Sequence, residues 1–206
     1  MEAVDLPECL SLDEQSMGFH GRSSNKMRIK FKKVGDGFQA DCICSDGYTF
    51  SFYFRYQPPP KKYVEQGISP LHSRCLFLMD QLAEKRHCIF MDNLYMSAYF
   101  ALLCQQSTNN VKIHGVTRLD KKGIPSCVLQ DVVQNKELAS KVKGTVKVAV
   151  LHGEDRCRDL LAISYYDSKP VYFISNVMKK VRFSKFFTSF NYDLQTIYLI
   201  GDMGCK

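Results

Sequence analysis

Residues 87–93 read His87-Cys88-Ile89-Phe90-Met91-Asp92-Asn93. An apolar run that stops abruptly at an acid predicts a buried strand with a carboxylate just past its end. Cys9-Leu10-Ser11-Leu12-Asp13-Glu14-Gln15 reads as a second strand. There Leu10 and Leu12 alternate with polar neighbours and the run closes on an acidic pair. Setting these two strands side by side decides the fold. Between them Leu71, Cys75, Leu78, Met79 and Leu82 follow helical spacing, so Pro70 to Glu84 is expected to be a helix. Ser69 and Pro70 suit its N-cap and first turn.

Working outward, Lys26 to Phe31 has period two, with Lys26, Arg28 and Lys30 on one face. Lys32 and Lys33 extend it, and Gly35-Asp36-Gly37 ends it. Gln39 to Ser45 and Tyr48 to Tyr56 read as strands joined by an Asp46-Gly47 hairpin turn. Residues 26–56 are therefore expected to form a three-stranded antiparallel meander. Gln57-Pro58-Pro59-Pro60-Lys61-Lys62 reads as a stiff connector, extended as polyproline II. Residues 95–106 predict a second helix, and Val111 to Val116 another strand; such short connections imply parallel neighbours. Asp120 to Lys143 is polar and irregular, and Val146 to Leu151, Leu160 to Tyr166 and Val171 to Ser175 are further strands. The chain is expected to be α/β. Its element order resembles the ribonuclease H-like fold: a mixed five-stranded sheet with flanking helices.

Adjacent strands lie about 4.8 Å apart. In that fold Asp13, at or near the end of its strand, and Asp92, just past the end of its own, would share a divalent cation. Mg²⁺ takes a few carboxylate oxygens and keeps several waters. Paired ions in such a site activate a water or a 3′-hydroxyl and steady the leaving oxygen of a phosphodiester. A third acid is normally needed to complete both ion sites. Competing readings stand beside these. Asp13 suits a solvated or salt-bridged acid, Asp92 suits the N-cap of the following helix, and Glu14 is expected at the surface.

Composition narrows the classes. The 206 residues carry 28 basic and 21 acidic side chains, a net +7. That balance permits a polyanionic partner without requiring one, and it is not the composition of a disordered chain. No apolar run is long enough to cross a bilayer. The acidic start Met1-Glu2-Ala3-Val4-Asp5 lacks the apolar core of a secretory signal. A nuclear or cytoplasmic protein, neither secreted nor membrane-bound, is expected. The 9 cysteines include one close pair, Cys42-Ile43-Cys44, whose side chains point to opposite faces of a strand. No Cys/His set has zinc-finger spacing, so no zinc module is expected.

The flanks of the two aspartates carry a family resemblance. Leu12-Asp13-Glu14-Gln15-Ser16-Met17-Gly18-Phe19-His20-Gly21-Arg22-Ser23-Ser24 resembles the first catalytic block of piggyBac-type transposases. Phe90-Met91-Asp92-Asn93-Leu94-Tyr95-Met96-Ser97 resembles their second. His114-Gly115-Val116-Thr117-Arg118-Leu119-Asp120-Lys121-Lys122-Gly123-Ile124-Pro125 resembles their GT-R-N-KG-P segment, and Leu161 to Asn176 looks like the strand pair that ends in an LST-like tripeptide. The resemblance implies a DDE domain that excises and joins DNA with Mg²⁺ or Mn²⁺. By position it makes Asp13 and Asp92 the first two catalytic and metal-binding aspartates. Arg22, Arg118 and Lys122 fall in motifs that would approach phosphate.

The resemblance also sets limits. The family's third aspartate belongs to a GGVD-type segment, which is not found here; Asp193 and Asp202 lack its surroundings. The third acid is left unassigned, and the domain is expected to be C-terminally incomplete. Residues 1–177 form the DDE-like domain in this reading, and 178–206 a divergent tail. Strand cleavage by these residues alone is not expected. A different class of function, a non-catalytic DNA-binding or scaffold domain, would use the basic strand 26–33 with Lys26, Arg28, Lys30 and Lys32 to neutralise phosphates.

Overall fold

The computed structural model describes residues 6–29, 35–82, 87–107, 111–118, 123–124, 128, 146–151 and 159–177. The chain divides into two compact units, Met1–Phe90 and Met91–Lys206.

In the first unit β1 (Cys9–Gly18) pairs antiparallel with β3 (Asp36–Ser45), matching Asp13 to Cys42 and Gln15 to Ala40. On the other edge β3 pairs antiparallel with β4 (Tyr48–Phe54) and, at its start, with β2 (Met27–Arg28). The expected meander is therefore corrected. β3 is central, β1 takes one of its edges, and β2 and β4 share the other. Gly37 permits this, because a Cβ there would lie 2.0 Å from the Met17 carbonyl oxygen. The turn between β3 and β4 is the expected Asp-Gly hairpin, with positive φ at Asp46 (50°) and Gly47 (78°). β5 (Cys88–Met91) neighbours β1, and the Cys88 amide donates to the Glu8 carbonyl at 2.8 Å.

The Pro-rich connector contains a short helix that periodicity did not show, α1 (Lys61–Val64). Pro60 is its N-cap, and its backbone carbonyl accepts from Tyr63 and Val64. The next helix, α2 (Pro70–Asp80), begins as expected: Ser69 accepts from the His72 amide, and Pro70 fills the first turn. It stops four residues short of Glu84. α2 packs on β3 and β4, where Tyr53 meets Phe77 edge-on at 5.3 Å and Ser51 donates to Gln81 at 2.7 Å. Leu10, Leu12, Ile43, Leu76 and Ile89 are buried in this unit.

In the second unit β6 (Lys112–Thr117), β9 (Pro170–Ser175), β8 (Leu160–Tyr166) and β7 (Val146–Leu151) follow in that spatial order. The pairs β6–β9, β9–β8 and β8–β7 are antiparallel. Alternation puts Val146, Val148, Val150 and Leu161 in one cluster, and Ala149 and Ala162 with Val128 in another. The fully buried Asn176 follows β9, and its amide donates to the Ile113 carbonyl at 3.1 Å. Its Oδ1 accepts from the Ile113 amide at 2.6 Å, and its Nδ2 donates to the Val111 carbonyl at 3.0 Å. Helix α3 (Ala98–Ser107) packs on β6 and β9.

Every stretch read as a strand contains one. The strand count exceeds the expected five, with β1–β5 leading the chain and β6–β9 following among the described residues. The α/β class holds. Among the described residues no helix is long and apolar enough to cross a membrane.

Candidate functional site

Asp13 sits in the middle of β1, not at its end. Gln15 to Gly18 keep pairing with Ala40 to Gly37, so the strand runs on past the acidic pair. Leu10 and Leu12 point into the core, and the odd residues Asp13 and Gln15 point out. The Asp13 carboxylate is exposed, and its Oδ1 accepts from the Glu14 amide at 2.7 Å. Cys42 lies opposite it, fully buried. Burial first, then the charges of Cys44, Asp41 and Asp13, push the Cys42 thiol up to about 12. It stays protonated near neutrality and offers Asp13 no thiolate companion. Gln15, on the same face, accepts from Cys42 Sγ at 3.4 Å and Thr49 Oγ1 at 3.2 Å.

Glu14 is not the free surface acid the sequence suggests. It is half-buried, and Arg55 Nη1 donates to its Oε2 at 3.2 Å. Arg55 also donates to Asp41 Oδ1 from Nε (2.8 Å) and Nη2 (2.7 Å). Arg74 on α2 donates to Asp41 Oδ2 at 2.7 Å. Register explains the cluster. Glu14 lies directly opposite Asp41, and two acids side by side under a helix require cations between them.

In the second unit Asp92 is exposed, just past β5. Its Oδ1 accepts from the Leu94 amide at 2.8 Å, and its carbonyl accepts from the Met96 amide at 3.1 Å. This closes a local turn. The helix N-cap is Ser97 instead, whose Oγ accepts from the Phe100 amide at 3.1 Å. Asp92 is therefore not spent on capping α3. Arg118, exposed after β6, donates from Nε to Asn93 Oδ1 at 3.2 Å, which holds its guanidinium beside the residue that follows Asp92. Asn93 escaped the sequence reading because no spacing rule ties it to a residue 25 positions on.

The basic residues separate into two groups. Arg22 is exposed beyond the Gly21 bend. Lys26 and Arg28 share Asp36, at 3.9 and 3.2 Å, and Lys26 also donates to the Gly21 carbonyl at 3.2 Å. Such exposed pairs contribute roughly 0–1 kcal/mol. Lys30, Lys32 and Lys122 lie outside the described residues, as do Asp193 and Asp202.

Two exposed carboxylates, each with one oxygen on a local amide, are the donor chemistry a hard cation takes. Neither Asp13 nor Asp92 forms an ion pair among the described residues. Among those residues no three His, Cys, Asp or Glu side chains are grouped to hold a metal.

The profile of the family described as Transposase IS4 matches residues 1–203. No curated protein matches the chain. Among solved structures, the chain is similar to a piggyBac transposase seen by cryo-electron microscopy as a synaptic complex with hairpin DNA. The TM-score is 0.61 and the identity 24%, over 82% of this chain and 33% of the other. At that identity the likeness establishes the fold alone. This chain spans about a third of that protein's length.

Proposed function

The chain belongs to the transposase IS4 family, and from that premise we propose a piggyBac-type, ribonuclease H-like DDE domain in which Asp13 and Asp92 are the metal-binding and catalytic carboxylates. The observation that carries the proposal is the state of these two acids. Both are exposed, both have one oxygen tied to a neighbouring amide, and neither is neutralised by a cation among the described residues. An acid kept for structure is ordinarily paired, as Asp41 is.

When bound, Mg²⁺ or Mn²⁺ would lower the pKa of a water or 3′-hydroxyl and stabilise the leaving oxygen of DNA. Asp13 and Asp92, each an exposed carboxylate, are the residues proposed as its ligands. Arg118, oriented by Asn93, would meet a DNA phosphate, and Arg22 and Lys122 are assigned to the same task. The DDE domain is assigned to residues 1–177 and the divergent tail to 178–206; the family match spans the first and runs into the tail as far as residue 203. The nucleus is the compartment such a DNA substrate implies.

No third carboxylate is assigned, so we propose that these 206 residues alone do not complete strand transfer. A scaffold or DNA-binding role for strand 26–33 is the weaker reading, because Lys26 and Arg28 are partly neutralised by Asp36.

The test is Mn²⁺ binding together with DNA nicking, on the wild type and on Asp13→Asn and Asp92→Asn. Mn²⁺ binding weakened in each variant, with no nicking by any protein, is the expected result. Equal Mn²⁺ binding by all three proteins removes the metal assignment. Nicking by the wild type that Asp92→Asn abolishes overturns the claim of incompleteness.

A further inference from the structure

Directly paired residues of an antiparallel sheet point to the same side. Asp13 pairs with Cys42, and Cys42 with Phe52; Gln15 pairs with Ala40, and Ala40 with Phe54. Asp13, Phe52 and Phe54 therefore share one face of the first unit's sheet. It is the face opposite the one carrying Glu14, Asp41 and α2.

That face carries a continuous row of rings. Phe52 meets Phe54 at 5.2 Å, Phe54 stacks on Tyr56 at 5.1 Å, Tyr56 meets Phe38 at 5.6 Å, and Phe38 meets Phe19 at 5.2 Å. Phe52, Tyr56 and Phe19 are exposed by 52%, 43% and 38%. Exposed rings on a solvated sheet face forgo the burial that usually accounts for aromatic residues.

The row ends on cations. The Phe19 ring lies against Gly21, where an added Cβ would come within 2.5 Å of it. The Gly21 carbonyl accepts from Lys26, and Arg22 follows directly. Arg22, Lys26 and Arg28 stand there against one acid, Asp36. Rings in a row running into a basic turn are the elements that bind unpaired nucleotides: bases stack on π-faces and phosphates take the positive charge.

We propose that this face is a stacking platform for single-stranded DNA, with bases on Phe52, Tyr56 and Phe19 and the backbone drawn toward Arg22. Phe52 lies two strands from Asp13, about 10 Å, roughly the reach of a nucleotide or two. The platform would hold unpaired nucleotides flanking a reacting phosphodiester. The inference rests on the DNA reading above but makes no use of a metal.

The chain contains no tryptophan, so Phe52→Trp places a single indole on the platform. Its fluorescence, read in EDTA at low salt with a short oligothymidine, is expected to be quenched on binding. By anisotropy, Phe52→Ala and Tyr56→Ala are each expected to weaken the oligothymidine about tenfold. Both variants should stay folded by far-UV circular dichroism, and their affinity for duplex of the same length should stay unchanged. An unquenched indole, or alanine variants that bind as the wild type does, overturns the platform. So does a wild type that self-associates through this face, with Phe52→Ala monomeric and its oligothymidine affinity unaltered. Because the assay holds no divalent cation, loss of Mn²⁺ binding at Asp13 or Asp92 leaves its outcome unaffected, and the two readings fail separately.

Discussion

Arg74 Nε donates to Asp41 Oδ2 at 2.7 Å, joining α2 to the central strand through a fully buried carboxylate. Arg55 occupies the other oxygen and reaches on to Glu14, the neighbour of Asp13 on β1. Removing the acid takes this partner from the largely buried Arg74 guanidinium and leaves Arg55 with Glu14 but without its two hydrogen bonds to Asp41. Asp41→Ala is expected to cost about 3–5 kcal/mol, read as a lower urea midpoint. An unchanged midpoint would mean that the arginines find solvent without it.

The caps of the second unit separate structure from chemistry. Ser97→Ala removes the side-chain acceptor for the Phe100 amide and should cost about 1 kcal/mol. Asp92→Asn keeps an oxygen for the Leu94 amide and should stay within about 0.5 kcal/mol of the wild type. Thermal melts of the two variants decide the matter; a larger loss from Asp92→Asn would make Asp92 a structural acid.

Gly115 leaves no room for a side chain. A Cβ there would sit 2.5 Å from the Met91 carbonyl oxygen and 2.9 Å from Met91 Cγ and Met96 Cε. Backbone cannot yield as a side-chain tip can. Gly115→Ala is expected to lose roughly 1–3 kcal/mol in chemical denaturation. Gly47→Ala is the comparison: nothing lies within 4 Å, but φ is +78°, so its cost is the left-handed backbone, about 1 kcal/mol.

His114 stacks on Phe173 at 5.8 Å, and burial lowers its pKa from the ordinary 6.5. The folded state thus takes up the proton less readily than the unfolded chain. Stability from this group is complete above pH 6.5 and declines as pH falls from there toward the lowered folded value. The slope is at most about 1.4 kcal/mol per pH unit. Denaturation of the wild type and His114→Gln between pH 7.5 and pH 5 should show the steeper decline in the wild type; parallel curves would remove His114 from the acid sensitivity.

Some of this molecule was legible in its sequence. Val146–Leu151 and Leu160–Tyr166 came out with the expected bounds, because alternation along a strand is a local property. The Asp46-Gly47 turn was readable for a similar reason: positive φ at consecutive residues selects those side chains. Ser69 and Pro70 announced α2 through the unmet amides of a first turn.

Other features were decided by pairing between distant segments. That Asp13 stands mid-strand follows from β3 continuing the ladder to Gly18. That Glu14 is held by an arginine 41 residues away follows from register and a helix packed across it. That Asp92 is free of the helix cap follows from a turn that moves the helix start to Ser97. The aromatic row is a tertiary product as well, since Phe19, Phe38 and Phe52 share a face only once three strands are aligned. Hydrophobic period reports which way a residue points relative to its own strand. Which residues stand beside it is set by cross-strand hydrogen bonds, which no local pattern encodes.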